Sequence, residues 1–152
     1  MHKITPFLWF DNQAEEAMNF YVSIFKNSKV ESVQRGPDGK AFTVSFKLED
    51  QEFMALNAGP QFKFTEAISL FVSCQTQAEV DNLWAKLTAD GGEESRCGWL
   101  KDKYGLSWQI IPTALGEMLG DPNPAKAGAA MQAMLQMNKI EIAGLKKAYD
   151  NA

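Results

Sequence analysis

The stretch CGWLKDKYGLSWQIIP, residues 97–112, brings a thiol, an ammonium and an amide close together among aromatic side chains. Cys97 is the one candidate nucleophile, because Arg96 beside it and Lys101 near it would favour the thiolate. A catalytic cysteine also needs a base, and the only histidine is His2 at the extreme N-terminus, where a solvated, frayed side chain is expected. Lys101 offers a cation to an anionic or carbonyl-bearing ligand, and Trp99 offers a flat stacking surface. Gln109 offers a neutral amide. Cys97, Lys101 and Gln109 are therefore the candidates for chemistry. The carboxylate pairs Glu15–Glu16, Glu49–Asp50 and Glu93–Glu94 fall at a helix start or in turns. None converges on this stretch, so no general acid/base pair is read. Cys74 and Cys97 lie outside any CxxC or zinc spacing and are expected as separate, reduced thiols.

The elements that would position these groups can be read from periodicity. TPFLWF is a strand, and QAEEAMNFYVSIF a helix with Ala14, Met18, Tyr21, Val22 and Phe25 on one face. KVESVQR, KAFTVSFKLE and QEFMALNAG follow as three strands, joined by GPDG and by Glu49–Asp50. The order then repeats. EAISLFVSC is a strand, Thr76 a helix N-cap, and QAEVDNLWAKLTA a helix burying Val80, Leu83, Trp84 and Leu87 before Gly91–Gly92 ends it. EESRC, GWLK and LSWQIIP close the repeat as strands, the last two joined by a turn at Asp102–Gly105 in which Gly105 takes positive φ. Two copies of strand, helix and three strands make a structural repeat. After Pro112 the chain becomes helical: Asp121–Pro122 and Asn123–Pro124 are start signals, and Met131, Met134, Leu135 and Asn138 share a face. A second short helix, IAGLKKAYD, turns Ile142, Leu145 and Tyr149 one way. This tail cannot make a core alone, so it must pack on the sheet domain or on a partner subunit.

Composition narrows the function classes. Among 152 residues, 19 acids against 15 bases give a charge of −4, which argues against a nucleic-acid footprint or a polybasic membrane surface. No apolar run approaches the roughly 20 residues that span a bilayer, and the N-terminus carries no signal-peptide pattern, so a cytoplasmic protein is expected. One domain over 1–112, with modules at 3–59 and 66–112, and a helical tail at 113–152 complete the organisation.

The segments FDNQAEEAMNFY, DQEFMALNAGPQFKFTEAISLFV and CGWLKDKYGLSWQIIP resemble the PhnB-like branch of the vicinal oxygen chelate superfamily, which includes glyoxalases, bleomycin-resistance proteins and extradiol dioxygenases. The resemblance implies an α+β fold of two paired βαβββ modules, whose curved mixed sheet wraps a cleft commonly completed by dimerisation. Members often carry the description demethylubiquinone methyltransferase, yet the chain has neither alternating βαβ units nor a Gly-rich loop after its first strand, as S-adenosylmethionine enzymes typically require. The superfamily's usual metal ligands come from the first and last strand of each module. On this chain those positions fall near Thr5 or Pro6, at Ala55, at Ala67 and at Gln109, and a single neutral amide does not hold a divalent ion. No metal and no cofactor are expected.

What remains is a metal-free cleft. Residues alternate faces along a strand, so an inward Gln109 brings Ser107 and Ile111 with it and sends Trp108 and Ile110 under the helices. By the same alternation Phe7, Trp9, Phe53, Asn57, Ser69, Phe71, Trp99 and Lys101 would line the cavity. Apolar walls with sparse polar groups suit a small ligand. The sequence thus points to a homodimer binding a small apolar or aromatic molecule, with an enzyme of the same fold, a lyase, isomerase or resistance factor, as the alternative.

Overall fold

The computed structural model describes residues 3–152, so His2 lies outside the described residues. The chain forms two compact units, the first ending at Phe64 and the second running Thr65–Ala152.

In the first unit, β1 (Phe7–Phe10) leads into α1 (Ala14–Ile24), followed by β2 (Lys29–Arg35), β3 (Ala41–Leu48) and β4 (Gln51–Asn57). The sheet order is β1-β4-β3-β2, with β1 parallel to β4 and the other pairs antiparallel. Ala14, Ala17, Met18 and Tyr21 are buried at the spacing of one helical face, and the Tyr21 ring lies 6.4 Å from that of Phe46 on β3. Glu49 and Asp50 both take positive φ (47° and 71°), as a tight hairpin between β3 and β4 requires. The α1 N-terminus has no side-chain cap from Gln13. Its Ala14 N–H donates instead to Asn57 Oδ1 at 2.8 Å.

The second unit repeats this order with β5 (Ser69–Cys74), α2 (Gln77–Thr88), β6 (Glu93–Glu94), β7 (Trp99–Lys101) and β8 (Ser107–Pro112). Its sheet runs β5-β8-β7-β6, with β5 parallel to β8. The α+β class and the two βαβββ modules are therefore as the sequence implied. Thr76 caps α2 by accepting from the Glu79 N–H, and Val80, Leu83, Trp84 and Leu87 are its buried face. Gly105 has φ 87° in the β7–β8 turn.

The tail comprises α3 (Thr113–Leu119), α4 (Pro124–Met134) and α5 (Ile142–Asp150). Periodicity had not marked α3, which starts directly from β8 with extended Pro112 as its cap residue. The tail packs within the second unit: Leu115, Ile140 and Leu145 form a buried cluster with Ile111, Met118, Leu119, Ala133, Met134 and Met137 around it. Two side chains expected on the packed face of α4, Met131 and Leu135, are instead exposed by 46% and 41%, and Ala130 is the buried residue. The small side chain lets α4 approach α5 closely, so the face turns toward Ala130. Among the described residues, no helix is long and apolar enough to cross a membrane.

Candidate functional site

Strand register determines which side chains share a face, and the second unit carries the polar and aromatic group the sequence singled out. Trp99 on β7 pairs with Gln109 on β8, which pairs with Phe71 on β5; one step along the ladder, Lys101 pairs with Ser107 and Ser107 with Ser69. All six therefore lie on one face of the sheet. The opposite face carries Leu100, Trp108 and Ile110, all buried, as are the inward residues of α2. Trp108 is thus core, as its place in the alternation demanded.

The row Trp99–Gln109–Phe71 sets an amide between two aromatic side chains. Gln109 Nε2 donates to Ser69 Oγ at 2.9 Å, which fixes the amide plane. Phe71 is 59% exposed. The adjacent row is more polar. Lys101 Nζ is 3.3 Å from Glu66, and the Glu66 carboxyl is held below the usual carboxylate range by a backbone N–H of its own segment and then by Lys101. Glu93 on β6 pairs with Lys101 from the other side. Ser107 between them is completely buried, and among the described residues its hydroxyl has no hydrogen-bond partner.

Asp102 does more than turn the chain between β7 and β8. It is 2% exposed, and its carboxylate accepts from the N–H groups of Tyr104 and Leu106 and, at 2.9 Å, from Trp108 Nε1. It holds the β7–β8 hairpin shut beneath the candidate site. Cys97 is not on a strand: β6 ends at Glu94, and Cys97 and Gly98 turn with φ 60° and 84°. Their N–H groups donate to the carbonyls of Met137 and Asn138, both at 2.8 Å, so the tail takes the edge that a longer β6 would have occupied. The Lys101 ammonium is engaged by Glu66 and not by the Cys97 thiol. Cys74 is buried, and desolvation, followed by the charge of Glu79, pushes its thiol up to about 12.

The first unit corrects the expected lining. Register pairs Phe7 with Met54 and Trp9 with Leu56, while Leu8 pairs with Ala55 and Phe10 with Asn57. Phe53, Ala55 and Asn57 therefore lie on the face opposite Phe7 and Trp9. Phe53 is 5% exposed and its ring stacks on Phe46 at 5.5 Å, in the core beneath α1. Asn57 spends both ends of its amide on structure, receiving the Ala14 N–H and donating to the Ala41 carbonyl at 3.0 Å. An alternation that turns Phe53 and Asn57 to the same face as Phe7 and Trp9 is one residue out of step with this register. Trp9 donates its indole N–H to Gly59 O at 2.9 Å and meets the edge of Phe62 at 4.9 Å. An open groove of ≈ 890 Å³ in this unit, lined by Asn12, Glu15, Arg35, Lys40 and Phe42 among others, went unnoticed in the sequence. The Arg35–Glu15 ion pair at 2.7 Å occupies it, joining α1 to the β2 edge.

Register also relocates the positions a metal would use. Ala67 precedes β5, and the partners facing Gln109 are Phe71 and Trp99. The corresponding face of the first sheet offers Phe7, Trp9, Met54 and Leu56. Within each sheet taken by itself, neither one neutral amide between Phe71 and Trp99 nor a face of aromatic and aliphatic side chains fits a divalent ion. Among the described residues, no three His, Cys, Asp or Glu side chains lie together as a ligand set.

A family model described as 3-demethylubiquinone-9 3-methyltransferase matches residues 2–111. Among solved structures, the PhnB protein from Bacillus cereus is 39% identical, with a TM-score of 0.69 over 73% of this chain and 99% of that one. A protein from Pseudomonas aeruginosa is 16% identical, with a TM-score of 0.62 over 74% of this chain and 98% of that one. The fosfomycin resistance protein FosX from Listeria monocytogenes, solved with manganese(II) and sulfate, is 14% identical, with a TM-score of 0.51 over 71% of this chain and 88% of that one. No curated protein matches the chain. The family match ends at residue 111, so the tail helices lie beyond it.

Proposed function

Since the chain belongs to the family described as 3-demethylubiquinone-9 3-methyltransferase, the PhnB-like branch of the vicinal oxygen chelate proteins, we propose that it binds a small, largely apolar or aromatic molecule on the face of its second sheet that carries Gln109, without a metal ion. The observation that carries this reading is the row Trp99–Gln109–Phe71, in which two aromatic side chains flank an amide pinned by Ser69. Flat walls supply apolar contact, and one oriented amide selects the ligand's angle of approach.

The methyltransferase description is read as the family's name and not as this chain's activity. Binding S-adenosylmethionine in the usual way takes a doubly wound parallel sheet with a glycine-rich loop opening its first helix. Each sheet here is a four-stranded βαβββ unit with a single parallel pair. The Lys101 ammonium on this face is paired with Glu66, and neither group is held at the row of Trp99, Gln109 and Phe71. Binding is therefore favoured over turnover. We further propose a homodimer, for which the exposed Phe7 and Phe62 of the first unit supply apolar surface.

A thermal-shift screen with quinones, dicarbonyls and aromatic antibiotics tests the proposal. A compound that raises the midpoint for the native protein, and no longer does so for Trp99→Ala, supports it; the absence of any hit overturns it. A stoichiometric divalent ion in tag-free protein would overturn the metal-free part.

A further inference from the structure

We propose that the groove of the first unit is a second binding site, for a planar aromatic molecule carrying a carboxylate. The surface proposed above belongs to the second unit, so neither reading depends on the other. The groove has a volume of ≈ 890 Å³, is open to solvent, and is lined by Asn12 and Glu15 at the start of α1, by residues 35–42 of the β2–β3 hairpin and by Asn57. A volume of that order admits a small organic ligand. Phe42 supplies its apolar wall. The β2–β3 register slips at this residue: Gln34 pairs with Thr43 but Arg35 with Ala41, which leaves Phe42 opposite no residue of β2. A bulge of this kind turns a side chain out of its place in the ladder. The Phe42 ring is 54% exposed as a result, a large apolar side chain open to water inside a groove and available to a ligand.

Arg35 supplies a second flat surface. Its guanidinium donates to the two Glu15 carboxylate oxygens at 3.2 and 2.7 Å and to the Gly39 carbonyl at 3.2 Å. These bonds engage the edge of the fork and leave its face, on which an aromatic ring stacks. The remaining charges decide the ligand's sign. Glu15 balances Arg35, and Asp38 folds back over its own turn to accept the Lys40 N–H at 3.0 Å. Among the described residues the Lys40 ammonium has no ion-pair partner. A ligand carboxylate therefore gains a cation without displacing a protein acid, whereas a ligand ammonium would face both Lys40 and Arg35.

Proton–nitrogen correlation spectra of the full chain, recorded while 2-naphthoate, naphthalene or 2-naphthylmethylammonium is added, test the inference. With 2-naphthoate the backbone amides of Gly36, Gly39 and Ala41 are expected to move and to saturate. Naphthalene should bind there about threefold more weakly, the worth of one exposed ion pair, and the ammonium more weakly still. Lys40→Gln should remove the advantage of naphthoate over naphthalene. Phe42→Ser should weaken both about tenfold; because Phe42 is 54% exposed, that variant is expected to fold. Naphthoate shifts confined to β5, β7 and β8 overturn the inference and leave the surface of the second unit standing. The absence of any saturable shift within residues 35–42, tighter binding of the ammonium, or full affinity in Phe42→Ser also overturns it. The Lys40→Gln comparison and the place of the shifts decide should Phe42→Ser not fold.

Discussion

At the scale of single residues, polar side chains near the candidate site divide into those consumed by structure and those left for a ligand. Asp102 belongs to the first kind. Its buried carboxylate holds two backbone N–H groups and the Trp108 indole, so Asp102→Ala leaves three donors without their acceptor. The variant is expected to lose about 3 kcal/mol of stability, read as a lowered urea midpoint at unchanged slope. Cys74 makes a second case. With its thiol pushed up to about 12 by burial, it stays protonated at neutral pH, and a thiol reagent should label the native protein only at Cys97, gaining a second equivalent on denaturation. Asn57 shows how far residue type misleads by itself. An asparagine at a strand end suggests a ligand contact, but here it serves as the missing cap of α1.

At the scale of elements, the tail is joined to the second sheet where β8 ends, β7 begins and α2 begins. Gln77 of α2 clamps it, donating to Ile140 O at 2.9 Å and accepting from the Ile142 N–H at 2.7 Å. Gly98 makes room: a Cβ there would lie 2.5 Å from Ile111 Cδ1 and 3.1 Å from Ile140 Cγ1, and its φ of 84° disfavours any other residue. Gly98→Ala should therefore cost about 2 kcal/mol or more, with hydrogen exchange rising first in α5. The tail is also tied by charge. Tyr149 donates its hydroxyl to Asp121, and Lys139 pairs with Asp81 at 2.9 Å. The Asp121 and Asp81 carboxyls are held below their ordinary value of 3.8, Asp121 chiefly by Tyr149 and Asp81 chiefly by Lys139, while Tyr149 is held above its ordinary 10.0 by Asp121. For the depressed acids the stabilisation is fully present above 3.8 and lost as pH falls through the lowered values. For the raised tyrosine it is fully present below 10.0 and lost as pH rises through the raised value. The stability difference between native protein and Asp121→Asn should accordingly be flat across neutrality and close only as pH falls through the lowered Asp121 value. A difference that drifts across neutrality would contradict the assignment.

At the scale of the whole molecule, Phe7 and Phe62 of the first unit are exposed by 51% and 64%, large apolar side chains of the kind a subunit interface covers. Sedimentation velocity at micromolar concentration is expected to give a dimer, and Phe7→Ser with Phe62→Ser to shift it toward monomer; a concentration-independent monomer would refute the expectation. How much of this was legible in the chain follows from what each signal measures. Periodicity and turn chemistry are local, so the duplicated βαβββ order, the Thr76 and Asn123 caps and the Gly105 turn could be read directly. The burial of Trp108 and Ile110 was equally legible, because both are too apolar to face anything but a packed core. For β4 the same rule failed: Phe53, Ala55 and Asn57 carry no such unambiguous preference, and only pairing with β1 decides which way an alternating strand turns. Likewise Ser107 announces nothing as a letter in the sequence. Its complete burial comes from the strands and loops packed around it, since burial and hydrogen bonding belong to the packed chain and not to any segment of it.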